Sequence, residues 1–403
     1  MTPGNAPALD HRLDYLDAVR AFALLLGIVF HSSLSFAPYL EWAVMDPANS
    51  LIVAGFALVS HSFRMHLFFL IAGFFSHMTF RRKGAGSFVT SRLIRIAIPF
   101  VIGWFLLRPL IVSAGVMGAE SMRGEVHVVS GLKVGFQSLR QLPQNLLIGT
   151  HLWFLYYLLL VTAIALAART LLDLAPSLRS KATRWTDATV AQIATSGYSW
   201  PALALPTAAC VWLMSGWGMD TPDESLIPHL PVLVIYGAFF TLGWLLHRQE
   251  ELIGRFAQLS KGRFALGITS VALSLALSMF QFDSGHPLLG LIRAGFTLSY
   301  AVMMWSLVGL SIGLFQRFLD RPNKTVRFIA DASYWLYLIH LPIVIWLQIA
   351  VSRLSFHWSL KLIAISVLTI GLSLVLYDLV VRSTFIGMTL NGRKKERVFF
   401  RWE

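Results

Sequence analysis

Long apolar runs recur along the whole chain, and they constrain its fold more than any other feature of the sequence. Hydrophobic residues account for 56% of the 403 residues and charged residues for only 13%, a balance typical of proteins whose main solvent is lipid. Ten runs approach or exceed the ~20 residues that a helix needs to cross a bilayer. They lie at residues 18–36, 60–80, 96–115, 151–171, 201–218, 229–247, 264–281, 287–315, 329–350 and 359–381. The sequence therefore predicts an all-α fold, a polytopic membrane helical bundle of about ten transmembrane helices.

The basic residues divide unevenly between the two sides of such a bundle. An even number of crossings puts both termini on one side, and nearly all loop cations fall there, together with the tails at residues 1–15 and 383–403. The other side keeps five, namely Arg123, Lys133, Arg140, Arg353 and Lys361. Because basic loops stay in the cytoplasm, we expect both termini to be cytoplasmic. Topology thus explains the net charge of +13, and no nucleic-acid partner is expected.

The rest of the composition excludes several kinds of site and domain. The single cysteine, Cys210, rules out an intramolecular disulfide and a cysteine metal site. The first apolar run lacks the ending of a cleavable signal peptide, so none is expected. The longest polar stretches, near residues 116–150 and 172–200, are too short to bury a core of their own. We therefore expect residues 1–403 to form a single membrane-embedded domain.

Two ionisable side chains stand in the first apolar run. Arg20 and His31 are 11 residues apart, a spacing that returns a helix to within roughly 20° of the same direction and separates the two by about 16 Å. Ionisable groups are expensive in hydrocarbon and are by default candidates for function. The alternative for His31 is a neutral structural histidine that is satisfied by hydrogen bonds.

The second run contains Arg64, a permanent charge inside an apolar helix. It precedes Arg81 by 17 residues, or about 25 Å, which places it toward the outer leaflet. Such a charge faces the bundle interior or an aqueous cavity, unless its side chain snorkels to the membrane surface. The sequence leaves both readings open.

Arg92 and Arg95 open the third run on the cytoplasmic side. They are three residues apart and share a helix face, and their planar guanidinium groups suit phosphate. A nucleotide phosphate is one candidate ligand. Ordinary anchoring of the helix by basic residues is the alternative.

Polar and aromatic side chains mark two further helices. His151 and Trp153 open the fourth run at the outer face, where an aromatic belt or a carbohydrate stacked on the rings would explain them. Ser333, Tyr337 and His340 in the ninth run follow helical spacing and point one way. With two histidines at comparable depth, a shared polar interior is expected rather than a metal site, since no third ligand stands at helical spacing.

The order of these pieces resembles the acyltransferase 3 family of integral-membrane O-acyltransferases. The matching stretches are Leu16 to Ala21 through His31, His61 to Met65 with Phe68, Phe69 and Gly73, the segment of Arg92, Arg95 and Pro99, His151 to Leu155, and Ser333 to His340 with Pro342. They are spread over the whole chain, so the resemblance covers essentially all of it.

The resemblance implies a multi-pass enzyme of the bacterial inner membrane, similar to members that succinylate osmoregulated periplasmic glucans. Such an enzyme takes an acyl group from cytoplasmic acyl-CoA, here succinyl-CoA, and places it on glycan hydroxyls at the periplasmic side, without a metal. The implied catalytic residues are Arg20, His31 and Arg64, with His31 as base or acyl carrier. Arg92 and Arg95 would hold the phosphates of coenzyme A. The implied substrate-binding residues are His151, Trp153, Ser333, Tyr337 and His340.

Other functions stay open at this point. One alternative is an O-acetyltransferase acting on O-antigen or exopolysaccharide. A transporter or proton-coupled exporter could use His31 and His340 as a proton relay, although no internal repeat of the kind common in transporters is visible. A structural scaffold for glucan assembly would leave the buried arginines and histidines unexplained. Glucan-synthesis proteins are candidate partners.

Overall fold

The computed structural model describes residues 13–141 and 150–399, and these residues form helices, turns and loops without a strand. Residues 1–12 and 400–403 of the expected tails lie outside the described residues. The α-helices of the described ranges are α1 (Asp14–Ser33), α2 (Leu51–Arg92), α3 (Ile98–Arg123), α4 (Val128–Gln137), α5 (Trp153–Asp173), α6 (Pro176–Thr195), α7 (Ser199–Trp212), α8 (Leu230–Arg248), α9 (Glu251–Phe256), α10 (Lys261–Ser278), α11 (Leu289–Leu319), α12 (Lys324–Val351), α13 (Trp358–Leu376) and α14 (Phe385–Asn391). The predicted all-α fold is confirmed.

Eight helical segments of the described ranges are long and apolar enough to cross a membrane. The longest, Leu51–Arg123, makes two crossings, because the chain reverses at Gly84, where φ is +74° and only glycine is unstrained. After the reversal, Nη2 of Arg92 donates to Oγ of Ser76 over 3.1 Å. With the shorter α7, these segments account for the ten predicted crossings, and the chain is a multi-pass membrane protein.

Contacts near the helix ends define the two faces of the bundle. Asp14 at the start of α1 pairs with Arg327 of α12 at 3.4 Å, and Lys395 after α14 pairs with Asp331 of α12. We call this side, which holds the starts of α1 and α12, the basic face. The other side, where α1 and α12 end, is the opposite face.

Polar caps fix where two of the central helices begin. The Oγ of Ser50 accepts from the backbone N–H of Ile52 at the start of α2. The Oδ1 of Asn323 accepts from two backbone N–H groups in the first turn of α12. Each cap satisfies amide donors that a helix start leaves without an intrahelical partner.

Two glycines let α2 and α8 cross in close contact. A Cβ on Gly73 would overlap the Phe240 carbonyl, and a Cβ on Gly243 would overlap the Leu70 carbonyl. Small residues at such a crossing allow the two backbones to approach, which is how membrane helices commonly associate. This crossing fixes the rotation of α2 and so directs Arg64, about two and a half turns away, toward α1.

The polar stretch near residues 172–200 contains a helix that the hydropathy pattern does not indicate. α6 lies on the basic face and buries only Val190 and Ala194. It is tied to the bundle by an ion pair of 2.7 Å between Asp187 and Arg248 at the end of α8. The helix therefore packs on the bundle through few apolar contacts and this ion pair.

Candidate functional site

His31 lies near the end of α1 on the opposite face, among other ring side chains. Its ring centroid is 5.2 Å from that of His340 on α12 and 5.7 Å from that of Trp42. Toward the basic face, Nη2 of Arg20 donates to the Ala330 carbonyl of α12 at 2.9 Å. Both side chains of α1 therefore turn toward α12, as their spacing predicts.

A third histidine joins this pair from another part of the chain. His151, just before α5, has its ring centroid 5.8 Å from that of His340. We call His31, His151 and His340 the histidine cluster. Two of its members were expected to share a polar interior, and the fold also brings the third to them.

Hydrogen bonds determine which ring nitrogens of the cluster are free. Nδ1 of His340 lies 2.8 Å from the Tyr337 carbonyl and 3.1 Å from the Leu336 carbonyl. Because a carbonyl only accepts, Nδ1 carries the hydrogen, and in the neutral ring Nε2 is the basic nitrogen. Nε2 of His151 likewise donates to the Leu338 carbonyl at 2.9 Å. Nδ1 of His151 and Nδ1 of His31 are buried without a hydrogen-bond partner in the described ranges.

A glutamine holds the end of α1 that carries His31. Nε2 of Gln348 donates to the His31 carbonyl at 3.0 Å and to the Ser32 carbonyl at 3.3 Å. Its Oε1 accepts from Nε1 of Trp42 at 2.9 Å. Gln348 thus links α12, the last turn of α1 and the loop after it, and it sets the position of the His31 ring.

Arg64 reaches the same end of α1 from α2. Its Nη1 donates to the Gly27 carbonyl at 3.3 Å, and its Cζ lies 3.8 Å from the centroid of the Phe30 ring. The side chain is only 5% exposed, so it does not snorkel to the membrane surface. Its Nε is buried without a hydrogen-bond partner, and no carboxylate pairs with the guanidinium among residues 13–141 and 150–399. A buried cation without an anion is costly, so this position calls for an anionic ligand.

The charged surroundings of His31 are cationic or neutral. The titratable side chains that interact electrostatically with the His31 ring are Arg64, His340, His151 and His61. No carboxylate orients the His31 ring in the described part of the chain, unlike the histidine of a Ser-His-Asp triad. Gln348 instead fixes the backbone that carries the ring, and the ring itself packs against His340 and Trp42.

Three other predicted site residues make hydrogen bonds or ring contacts with other residues of the protein. Oη of Tyr337 donates to the His151 carbonyl at 2.6 Å and so positions that histidine. Oγ of Ser333 donates to a carbonyl one turn earlier in α12 at 2.7 Å. Trp153 is 6% exposed and stacks on Tyr236 with centroids 5.6 Å apart. Their contacts with a substrate stay predictions.

Arg92 and Arg95 lie on the basic face, away from the histidine cluster. Besides its bond to Ser76, Arg92 has its Cζ 4.8 Å from the Phe88 ring. Arg95 belongs to a π-helical stretch, Leu93–Ala97, a form often found at functional sites. Its guanidinium packs against the backbone of Gly392, where a Cβ would overlap it.

The distance between the arginines and the cluster follows from α12. The backbone carbonyl of Arg95 accepts from Oη of Tyr334 at 2.6 Å. His340 lies six residues further along α12, or about 9 Å at 1.5 Å per residue. A ligand that touches both places must therefore be elongated and lie along the bundle.

Several polar residues near these places were missed by sequence reasoning. Gln348 follows His340 by eight residues, about two helical turns, so the spacing carried a signal. His66 is 0% exposed, and both its ring nitrogens lack a hydrogen-bond partner among the described residues. On the basic face, Nδ1 of His77 and Nδ1 of His247 are 2.8 Å apart; their helices are far apart in sequence, so no spacing could pair them.

The polar side chains around His31 limit which kinds of ligand the site could bind. No group of three His, Cys, Asp or Glu in the described ranges is placed to hold a metal ion. The free groups near His31 are imidazole nitrogens and a guanidinium, which suit proton transfer and an anion.

The positioning role of Gln348 leads to a specific expectation. Gln348→Glu keeps the size of the side chain but replaces the donor to the His31 and Ser32 carbonyls with an acceptor. We expect the maximal turnover to fall roughly tenfold or more, since a hydrogen bond of this kind contributes about 1 kcal/mol and its loss leaves polar groups unpaired. The KM for a substrate bound at the basic face should stay within about twofold in the same steady-state assay, because Gln348 lies away from that face. A parallel rise of KM with no change in kcat would contradict the positioning role.

Comparison with known proteins identifies what the chain is similar to. The family profile described as "Acyltransferase domain" matches residues 13–378. Glucans biosynthesis protein C of Escherichia coli O1:K1 is 25% identical over 406 aligned positions, which cover 96% of each protein. The protein of the same name from Escherichia coli K12 shows the same identity and coverage, and that of Escherichia coli O81 is 24% identical. No solved structure matches the chain.

Proposed function

We propose a specific reaction for this chain, which belongs to the acyltransferase family whose domain profile matches residues 13–378. The chain transfers a succinyl group from cytoplasmic succinyl-CoA to a hydroxyl of a periplasmic glucan, in the inner membrane of a bacterium. The observation that carries this proposal is the histidine cluster beside the unpaired Arg64, buried within the bundle. Family membership favours an enzyme over a transporter or a scaffold. The relatives named for glucan biosynthesis support a glucan as acceptor.

The basic face would be the side where the donor enters. Its excess of lysine and arginine agrees with a cytoplasmic position, and succinyl-CoA is made in the cytoplasm. Arg92 and Arg95 would bind phosphates of coenzyme A through their planar donors. The pantetheine arm is long and flexible, so the thioester could reach His31 while the phosphates stay at the basic face. Arg20, partway along α1, would line this path.

The proposed chemistry is a single displacement at the thioester carbonyl. His31 takes the proton of the acceptor hydroxyl while the hydroxyl oxygen forms a bond to the carbonyl carbon. The resulting tetrahedral intermediate carries its negative charge on the former carbonyl oxygen. When the C–S bond breaks, the sulfur leaves with the electron pair and accepts the proton from His31. The products are the O-acyl glycan and the free thiol of coenzyme A, with His31 neutral again.

Arg64 supports succinyl over acetyl as the transferred group. A succinyl group carries a carboxylate at its far end, and an acetyl group does not. Since the buried guanidinium has no anionic partner among the described residues, the succinyl carboxylate would supply one through a charge-assisted hydrogen bond. An acetyl donor would leave the charge of Arg64 without a partner.

A reconstituted transfer assay tests the proposed function. Purified protein in liposomes is incubated with succinyl-CoA or acetyl-CoA, with and without periplasmic glucan, and free thiol and acylated glucan are both measured. We expect glucan-dependent thiol release with succinyl-CoA, in a one-to-one ratio with succinyl ester. Preferential use of acetyl-CoA, or an acceptor such as O-antigen in place of glucan, would contradict the proposal.

The donor site leads to a separate expectation for the two arginines of the basic face. Arg92→Ala and Arg95→Ala should each weaken succinyl-CoA binding roughly tenfold or more, since a hydrogen bond to a charged group contributes about 1.5–3 kcal/mol. The affinity of the corresponding lysine variants for succinyl-CoA should lie between those of the unmodified protein and the alanine variants, because lysine keeps the charge but loses the planar guanidinium. Arg184→Ala, an exposed cation of α6, is the matched control. Unchanged donor affinity together with lost activity would show that these arginines serve folding or topology instead.

A further inference from the structure

A cavity of about 670 Å³ opens on the opposite face, apart from the site described above. Three segments line it: residues 45–48 after α1, residues 121–124 at the end of α3, and residues 352–356 between α12 and α13. All three are loops or helix ends rather than faces of membrane helices. The cavity is therefore open to the aqueous side, and a water-soluble ligand fits it better than an acyl chain.

The charges on its wall are mostly positive. Nζ of Lys361 pairs with Oδ2 of Asp46 at 2.7 Å, and the two side chains are only 3% and 2% exposed. Arg123 and Arg353 line the same cavity, and neither has an ion pair or a side-chain hydrogen bond to the other described residues. The guanidinium of Arg353 lies beside Gly124, 3.6 Å from where a Cβ on that glycine would stand. Three cations against one carboxylate leave the cavity with a formal charge of +2.

Topology does not explain this concentration of charge. The described residues place six lysines and arginines on the opposite face, since Arg293 at the start of α11 joins the five expected from the sequence. The guanidinium of Arg293 donates hydrogen bonds to the backbone carbonyls of Trp212 and Met214. Basic residues are depleted on the outer side of membrane proteins, yet half of these six converge on one cavity. This clustering of cations indicates that the cavity binds an anion.

The cavity is also coupled to the helix that carries His31. Ser35, four residues after His31, donates from Oγ to the Val44 carbonyl at 2.6 Å. The backbone N–H of Asp46 donates to the Ser35 carbonyl at 2.9 Å. The loop that forms one cavity wall is thus fixed to the end of α1. A large acceptor bound in the cavity would lie within reach of the histidine cluster.

We propose that this cavity is an anion subsite that binds a carboxylate or phosphate substituent of the acceptor glycan. The proposal rests on the proposed function, which supplies the glycan, and adds that an anionic acceptor is preferred to a neutral one. Arg123 and Arg353 make the direct contacts. The buried pair of Lys361 and Asp46 holds the wall and contributes to the positive potential. A phosphate of an outer-leaflet lipid has the same chemistry and is the competing source of the anion.

A binding experiment without acyl donor tests the subsite. The protein is placed in nanodiscs of phosphatidylcholine, and fluorescence anisotropy measures the Kd of a labelled glucose oligosaccharide bearing one succinyl half-ester and of its methyl ester. We expect tighter binding of the half-ester, and a two- to fivefold loss of that preference in each of Arg123→Gln and Arg353→Gln, as for partly exposed ion pairs. The double variant should bind both probes equally. Lys133→Gln, an exposed cation of α4 on the same face, should keep the preference.

The remaining outcomes separate the alternatives. Equal affinity for the two probes in the unmodified protein, or a preference that survives in the double variant, overturns the proposal. A preference that disappears in nanodiscs containing phosphatidylglycerol assigns the cavity to a lipid headgroup and also overturns it. Because no donor is present, absence of acyl transfer leaves this result unaffected, so failure of the subsite and failure of the proposed function are distinguishable. Lys361 and Asp46 are left intact, since removing either would leave a buried charge unpaired.

Discussion

His31→Ala is expected to lower acyl transfer roughly 10²–10⁴-fold, the usual effect of losing a general base. The protein should still fold and insert, for two structural reasons. The substitution makes the membrane segment more apolar. The hydrogen bond that links α1 to α12 also survives, because Gln348 binds the His31 backbone carbonyl rather than its ring.

Two further variants make this result specific. His31→Gln keeps a polar side chain of similar size that cannot take up a proton at neutral pH, and it should be as inactive as His31→Ala. His286→Ala removes a half-buried histidine from the loop between α10 and α11 and should retain full activity. Rates are measured with purified protein at equal amounts in liposomes. Transfer by His31→Gln at more than about a tenth of the normal rate would reject His31 as the base.

Arg64→Gln is expected to change which donor the enzyme uses. Succinyl transfer should fall roughly 10- to 100-fold, the range for losing a hydrogen bond to a charged group in a buried site. Acetyl transfer in the same liposomes should fall much less, since acetyl has no carboxylate to pair with Arg64. The quantity to compare is therefore the ratio of kcat/KM for succinyl-CoA to that for acetyl-CoA.

A second buried arginine provides the control for this ratio. Arg108 of α3 is 4% exposed, and its Cζ lies 4.9 Å from the Trp104 ring. Arg108→Gln thus removes another buried arginine, on α3 rather than α2, and it should leave the donor ratio unchanged even if the amount of folded protein falls. Equal losses with both donors in Arg64→Gln would show that Arg64 serves the oxyanion or the acceptor, and would reject its pairing with the succinyl carboxylate.

Much of the architecture could be predicted because hydropathy and helical periodicity are local properties of the sequence. All ten predicted crossings correspond to helices, and the 11-residue spacing of Arg20 and His31 correctly places both toward one neighbour. α6 was missed because an amphipathic surface helix with two buried residues has no hydropathy signal of a crossing. The reversal at Gly84 lies in a polar segment between two apolar runs, so the sequence predicts two separate crossings there. It does not predict that helix continues on both sides of the reversal.

The details of the site depend on contacts that no local pattern contains. Which nitrogen of His151 is free depends on the Leu338 carbonyl, 187 positions away in the chain. The burial of Arg64 depends on the rotation of α2, which the glycine crossing with α8 sets. Gln348 was detectable by its spacing from His340, but its bonds to α1 required the packed helices. Sequence reasoning could therefore name the groups, while their pairing required tertiary structure.

The central claim is that this chain places succinyl groups on periplasmic glucan, and mass spectrometry of the glucan tests it most directly. Glucans are isolated from otherwise identical cells that lack the chain, express it, or express His31→Ala at matched membrane levels. We predict the mass increment of one or more succinyl groups only in cells with the unmodified chain. An unchanged glucan mass in those cells, or an acetyl increment in its place, would contradict the account.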